Sequence, residues 1–401
     1  MPTPTFLDYL IYIKKQEIRP GLKLEWLNSD FTVAKTIEHD LLQTSGNLTI
    51  NFDDIGERRS LNLILYNVNK TYNVNINKLW FAQAIKLYLG IYIGNDPYYI
   101  PQGIFYITNP QSISNTSEKT MVIQAIDKKS LLDGTIFGTL GFIYEIPVST
   151  NIYSAMQSIL DLDRGNGTVL DSMSPNFSSY YVGKTTILPD STVVNRIETP
   201  YTLRAERNST YWNVLEELAK MLGALIYYNE HGQLTVEPSQ EELDDSLKPS
   251  LFDYTTERFE YLGSTTQHLM SNIYNTIIIT GDTIQGDTAS AKVSNTNPLS
   301  DTCVQKIGEK ILSIEDTAYY SDELAEEYGK YLLKRKTVLQ KANTINSSPI
   351  YHLKSNSIIT LTDNYLDFNK ERFLIQSINI PLEIGGQMQI TATSVNELVF
   401  E

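Results

Sequence analysis

The sequence predicts a mainly β fold with α+β insertions, in which two strand-rich, barrel-like domains flank a smaller mixed α/β domain. Three observations carry this. Short runs rich in β-branched and aromatic residues recur over residues 6–125 and again over 259–395. Between them one stretch, residues 209–238 (STYWNVLEELAKMLGALIYYNEHGQLTVEP), joins a strong helical period to a hairpin. Tyrosine is abundant at 26 residues, and such amphipathic rings suit half-buried sheet faces and subunit contacts. The divisions fall at residues 1–145, 146–250 and 251–401.

The chain has length enough for two or three cores. An apolar fraction of 41% with 20% charged residues describes a folded protein, not a disordered one. No run approaches the roughly 18 apolar residues that a membrane helix needs. Basic residues number 32 against 47 acidic ones, for a formal charge of −15. That balance argues against a general nucleic-acid-binding surface, and it suits a wall beside which DNA lies without sticking. The single cysteine, Cys303, excludes an intrachain disulfide or a thiolate cluster and reads as a small buried hydrophobe.

Residues 1–15 (MPTPTFLDYLIYIKK) lack a basic region and a cleavage site, so they read as a strand of the fold and not as a leader. The segment 6–31 reads as two strands around a turn at Arg19-Pro20-Gly21. Residues 47–52 and 60–66 alternate around a turn at 53–56. The apolar run LWFAQAIKLYLGIYIGN (79–95) is broken only by Lys86. A turn at 96–99 then leads to strands at 103–108 and 119–125. So many short strands need a barrel or sandwich to protect their edges, and Trp80, Tyr88 and Phe105 are expected in its core. Residues 127–134 read as a helical turn at the domain exit.

Residues 152–162 read as a short amphipathic helix, followed by a Ser-, Asn-, Gly- and Pro-rich segment with room for two short strands. In the central stretch Ser209 or Thr210 caps a helix, and Val214, Leu215, Leu218, Met221 and Leu222 share one face. Gly223 ends it, and a turn at 229–232 joins two strands. The charged connector 240–249 marks a boundary. Beyond it 259–262 and 273–280 read as strands, the second apolar enough to be central. Residues 281–298 (GDTIQGDTASAKVSNTNP) read as a loop that stays mobile until something packs on it. A helix over 317–336 is capped by Ser321, acidic at its start (Asp322, Glu323) and basic at its end (Lys330, Lys334, Arg335, Lys336). Leu324, Tyr328, Tyr331 and Leu332 form its inner stripe. Strands at 357–361, 372–380 and 387–395 close the chain.

Catalytic patterns are weak. His39, His231, His268 and His352 are isolated, with no paired metal spacing, and His231 reads as an exposed turn residue. No GxSxG, GxxxxGK[ST] or strand-following GxGxxG occurs. A Ser/His/Asp triad, which only the fold assembles, stays open. Asp161 and Asp163 flank Leu162, as would suit two same-side groups on a strand, with Arg164 next, and LDLDRGNGT supplies only part of the oxygen donors of a calcium loop. Glu57-Arg58-Arg59 reads as a charged turn capping the barrel and not as a phosphate clamp. No catalytic, cofactor-binding or metal residue is assigned, no cofactor is expected, and the chain is expected not to be an enzyme.

Three stretches resemble the central tail or baseplate hub proteins of bacteriophages, a family that also forms the N-terminal part of tail-tip proteins in long non-contractile tails. The first runs from LWFAQAIKLYLGIYI to IPQGIFYITNP, with a G-x-F-x-I strand at Gly103, Phe105 and Ile107. The second is YWNVLEELAKMLGALIYYNEHGQLTV, a helix, glycine and hairpin. The third is NTIIITG with the later YYSDELAEEYGKYLLKRK. The resemblance covers most of the chain and implies two tail-tube-like β-barrel domains per chain. It further implies a homotrimeric adaptor ring between a six-fold tail tube and a three-fold spike or tip, with a channel through which DNA passes unbound during genome ejection. Implied partners are a tail tube or distal tail protein above, a spike, fibre or tail-tip protein below, and the tape measure protein. The implied location is the virion tail, after assembly in the host cytoplasm. The sequence ends at Glu401 just after the last strand, so no fused cell-wall-degrading domain is expected. The alternative is a glycan-binding or cell-wall-degrading module of the host-contact apparatus, resting on the tyrosines and the Asp/Asn-rich loops at 161–176 and 281–298. A cell-wall peptidase is a weaker third reading.

Overall fold

The computed structural model describes residues 3–40, 44–53, 56–70, 83–116, 119–165, 167–239, 248–268, 273–284, 287–338 and 341–395. The N-terminal segment is a helix, Phe6–Tyr12, where a strand was expected. Its apolar residues run all round, so period alone does not decide. The capping box does: the Thr5 hydroxyl accepts from the Asp8 N–H, and the Asp8 carboxylate accepts from the Thr5 N–H at 2.9 Å. Tyr9 and Ile13, one turn apart, are buried, whereas Phe6, Leu7 and Ile11 stay exposed.

Seven strands follow: β1 (Pro20–Leu27), β2 (Val33–Asp40), β3 (Thr44–Phe52), β4 (Glu57–Tyr66), β5 (Ala84–Ile93), β6 (Asp96–Ser114) and β7 (Lys119–Asp127). Pro20 and Gly21 therefore begin a strand, and the chain turns later, with Phe31 at φ 63°. The β5–β6 hairpin turns at Gly94 and Asn95, earlier than expected, because Gly94 supplies the positive φ of 69°. Phe105 is fully buried as expected. Tyr88 is only half-buried, on the outer face of β5, and its hydroxyl donates to Glu25 at 3.0 Å. Trp80 lies outside the described residues. A 3-10 turn, Lys128–Leu131, capped by the Asp127 carboxylate, leads out of β7.

The middle of the chain holds the expected helices, Ile152–Leu160 and the central helix Tyr211–Leu222. Thr210 is the cap of the central helix, its hydroxyl accepting from the Asn213 N–H at 3.2 Å, and Gly223 ends the helix at φ 69°. Short strands surround them: β8 (Tyr144–Ile146), β9 (Asn176–Phe177), β10 (Thr185–Ile187), β11 (Val193–Asn195), β12 (Leu203–Ala205) and the hairpin β13 (Ala224–Tyr228) with β14 (Leu234–Pro238). Most of the connector 240–249 lies outside the described residues.

The last part contains β15 (Ser250–Thr255), β16 (Tyr261–His268), β17 (Thr276–Ile284), β18 (Asp287–Ser294), β19 (Ile311–Glu315), β20 (Lys341–Ser347), β21 (Ile358–Asp363), β22 (Phe368–Pro381) and β23 (Met388–Ser394), with a short helix Val304–Ile307 and the long helix Asp322–Val338. The stretch 281–298, expected as a mobile loop, instead carries the end of β17 and the whole of β18. These pair antiparallel, and β19 joins β17 parallel on its other side. Composition misleads here because β18 passes under the long helix. The strand needs small side chains there: Ala289 is fully buried, and the Ser290 N–H donates to Asp322 at 2.7 Å.

Thirteen strands form one sheet in the order β16-β20-β23-β22-β3-β4-β7-β6-β5-β1-β2, with β21 on β22 and β15 on β21. No closed barrel is found among the described residues, in contrast to the barrel-like units expected. The reason lies in β22, whose 14 residues pair with β21 and β23 in its own region and then, over 377–381, with residues 47–51 of β3. The first and last regions thus share one apolar core, with Leu48, Ile50 and Leu63 from one and Ile345, Ile378 and Ile390 from the other. A second core lies between the central and long helices, around Trp212, Leu215, Leu222, Tyr320, Leu324 and Leu332.

Amide exchange checks the hairpin: amides in 287–294 that pair with β17 should be protected in the isolated chain, and exchange at free-loop rates would contradict the pairing. At Gly281 a Cβ would stand 1.7 Å from the Tyr319 carbonyl oxygen. Gly281→Ala should therefore cost about 1–3 kcal/mol in urea unfolding, and an unchanged midpoint would rule out the close approach.

Candidate functional site

Three parts of the chain meet where β4 begins. A Cβ on Gly56 would lie 2.5 Å from the Ile226 carbonyl oxygen, so the backbone before β4 presses directly on β13. Glu57 and Arg59 follow on one face of the strand, each only 4% exposed. The Glu57 carboxylate accepts from Arg59 Nε at 2.5 Å and from the Ser355 hydroxyl. Arg59 also donates to the Gln102 carbonyl at 2.5 Å, and its backbone N–H donates to Asp127 at 2.9 Å. Gln102 Nε2 donates onward to the Tyr351 carbonyl at 2.8 Å, and the Tyr351 N–H donates to the Tyr9 hydroxyl at 3.0 Å. Beside this seam Lys354 pairs with Glu230 of the central hairpin.

The expected surface turn at Glu57-Arg58-Arg59 is thereby corrected. Alternate residues of a strand face opposite ways, so two of the three charges go under, and the seam uses both. A buried ion pair is costly unless its remaining donors and acceptors are filled, and here they are filled from both strand regions. Burial pushes the Asp127 carboxyl above its usual range, against the pull of the Arg59 N–H.

The central helix is clamped at both ends. At its start the Trp212 ring has the cations of Arg58 and Lys129 each 4.8 Å from its centroid, and its indole N–H donates to Glu216. Next to Lys129, Lys128 is fully buried. Its ammonium donates to Asp171 at 2.6 Å and to the Gly232 carbonyl at 3.0 Å, with the Phe31 ring at 4.2 Å. The Tyr228 hydroxyl donates to the other Asp171 oxygen at 3.1 Å. Burial pulls the Lys128 ammonium down to about 8, even against the attraction of Asp171. At the far end, carbonyls that a helix leaves unpaired are taken by other segments. Tyr320 donates to Met221 at 3.2 Å and Tyr181 to Gly223 at 2.9 Å, while Arg196 reaches Leu222 and pairs with Glu327 of the long helix.

The remaining sequence-predicted residues lie apart from the seam. His231 is exposed in its turn, and Cys303 is buried, both as expected. Asp161 ends a helix and does not sit on a strand. The Asp163 carboxylate accepts from the N–H groups of Gly165 and Gly167 at 2.8 and 2.9 Å, so the part-calcium loop folds onto its own backbone. Among the described residues no group of three or more His, Cys, Asp or Glu side chains is placed to hold a metal. The side chains of His39 and His268 lie outside the described residues. Sequence reasoning missed the seam residues Tyr9, Gln102, Tyr351 and Ser355, and it left His352 as an isolated histidine, whereas its ring packs against Phe6, Tyr9 and Phe252. Nothing in the local sequence YHLKS distinguishes it.

The arrangement is a buried joint between the strand regions of one sheet, and among the described residues β2 and β16 end its main strand order. A cleft of about 390 Å³ separates Ile18 and Pro20 of the first region from Leu262, Pro349 and Ile384 of the last.

No protein-family model and no curated protein matches the sequence. Solved structures do. The 43 kDa tail protein of prophage MuSo2 from Shewanella oneidensis superposes with a TM-score of 0.57 at 14% identity, over 93% of this chain and 98% of that one. A tail protein from Neisseria meningitidis gives 0.60 at 8%, over 94% and 97%. A prophage tail protein from Listeria monocytogenes gives 0.51 at 12%, over 94% and 95%. At these identities the likeness is one of fold, and it spans nearly the whole of each chain. The chain has the fold of phage tail proteins, the class that the three sequence stretches resemble.

Lys128→Met would leave Asp171 buried without its counter-charge and should lower stability by about 3–5 kcal/mol. Adding Asp171→Leu should restore at least half of that loss in urea unfolding. A double variant no more stable than the single one would refute the pairing.

Proposed function

We propose that this chain is a structural virion protein, a baseplate or tail-tip hub whose three copies form an adaptor ring between the six-fold tail tube and a distal spike or tip. One observation carries the reading. The β3–β22 pairing sets two strand-rich units of one chain side by side in a single sheet. Three chains then supply six units toward the tube while keeping a three-fold axis for the tip. The shared fold with phage tail proteins supports this. So do β2 and β16, the two ends of the main strand order among the described residues, because a strand edge invites pairing and a permanent ring would cover it. The charge of −15 suits a channel that DNA traverses without adhesion.

In this reading the units are residues 1–145, 146–250 and 251–401, and the protein resides in the virion tail. A tail tube or distal tail protein occupies one face and a spike, fibre or tail-tip protein the other, with the tape measure protein at the channel. No residue is catalytic. The glycan-binding alternative loses one of its two loops, since much of 281–298 is a packed hairpin.

Absolute mass by light scattering tests the ring, the expected value being three times 45.5 kDa. Thr36→Cys in β2 together with Thr265→Cys in β16, treated with a short bis-maleimide, should give covalent trimers, whereas either single variant should not. A monomer that also fails to join tube and tip proteins would overturn the proposal.

A further inference from the structure

The seam holds one titratable group whose two hydrogen bonds leave it a single workable protonation state. His352 Nε2 faces the Leu251 carbonyl oxygen at 3.2 Å, and Nδ1 faces the Tyr9 hydroxyl at 3.3 Å. A carbonyl only accepts, so Nε2 carries the proton and donates to Leu251. Nδ1 is then a bare acceptor for the Tyr9 O–H. The Tyr9 oxygen in turn accepts from the Tyr351 N–H at 3.0 Å. Every atom in this chain has one direction of donation.

Tyr9 is 0% exposed, so no water is at hand to replace a lost partner. A second proton on His352 turns Nδ1 into a donor aimed at the Tyr9 oxygen. The phenolic proton then has nowhere to go, and a buried O–H without an acceptor is destabilising. Tyr9 is also the inward anchor of the N-terminal helix. It shares that role with Ile13, and Phe6 packs edge-on to the imidazole with ring centroids 5.6 Å apart. The outward residues Leu7 and Ile11 touch solvent and add no comparable hold.

We propose that His352 and Tyr9 form an acid-sensitive latch that holds the N-terminal helix on the seam between the first and last strand regions. Among the described residues the imidazole faces the Tyr9 phenol, the phenols of Tyr98, Tyr254 and Tyr351 lie around Tyr9 in turn, and Lys354 pairs with Glu230. Burial holds the imidazole below its usual range, partly offset by the Leu251 carbonyl. The sign follows. The released helix leaves His352 free to bind a proton at its ordinary value near 6.5, while the docked helix resists it. The latch is complete above that pH and weakens as pH falls from there toward the lower docked value. Release also takes the Tyr9 oxygen away from the Tyr351 N–H, while the β3–β4 pairing behind it stays in place.

Hydrogen exchange of the full chain between pH 7.5 and 4.5, corrected for intrinsic rates, reads this directly. Protection of amides 9–13 should fall with pH below 6.5, by at most about tenfold per pH unit for one proton, while amides in β3 and β4 keep theirs. His352→Gln, which retains a donor and an acceptor but does not titrate, should hold the helix at constant protection across the range. Protection in the wild type that does not change with pH, or an identical pH dependence in His352→Gln, overturns the latch. Should that variant fail to fold, ring-nitrogen NMR on the wild type decides. An Nε2–H tautomer titrating below 6.5 supports the latch, and an Nδ1–H tautomer or a higher midpoint removes it.

Discussion

The buried pair of Glu57 and Arg59 is the constraint on which the rest depends. A carboxylate and a guanidinium out of water are tolerable only with their remaining hydrogen bonds filled. The groups that fill them come from distant parts of the chain, Ser355 in the last region and Gln102 in the first. The pair therefore acts as a condition on the fold. Unless the two strand regions meet in this register, two charges are stranded in a low-dielectric interior. Apolar packing alone would tolerate small slips, and a buried ion pair with fixed partners does not.

The middle unit obeys the same logic on both flanks. Lys128, fixed by Asp171 and the Gly232 carbonyl, ties it to the exit of the first region. Arg196 with Glu327, and Tyr320 on the Met221 carbonyl, tie it to the last. The middle unit is thus tied to both halves of the sheet.

How much of this was legible in the sequence depends on how local the cause is. Caps and periods are local, so Thr210, Gly223 and the inner stripe of the central helix were readable, as was Ser321, whose hydroxyl accepts from the Leu324 N–H at 3.1 Å. The alternation of β3 and β4 was readable for the same reason. Strands whose identity is set by a neighbour were not. Residues 287–294 are small and polar because a helix lies over them, and β20 (KANTINS) has too few apolar residues to announce itself. The N-terminal helix was hidden by a run apolar on every side. The seam was hidden most completely, since Glu57 and His352 meet Ser355 and Tyr9 across hundreds of positions, and Arg59 meets Gln102 and Asp127 across tens.

That distance also governs how the protein is made. Asn47 in β3 finds Asn379 in β22 across 332 residues of chain, at 2.8 Å. On a ribosome β3 emerges early, and its pairing strand arrives only when translation is nearly over. Through that interval one edge of β3 has no mate, and contacts of such long sequence separation form slowly. An unpaired strand edge in a nascent chain is prone to join the wrong partner, above all another copy emerging nearby. The feature that makes the finished sheet continuous therefore makes its birth hazardous, and production should favour conditions in which few copies emerge at once.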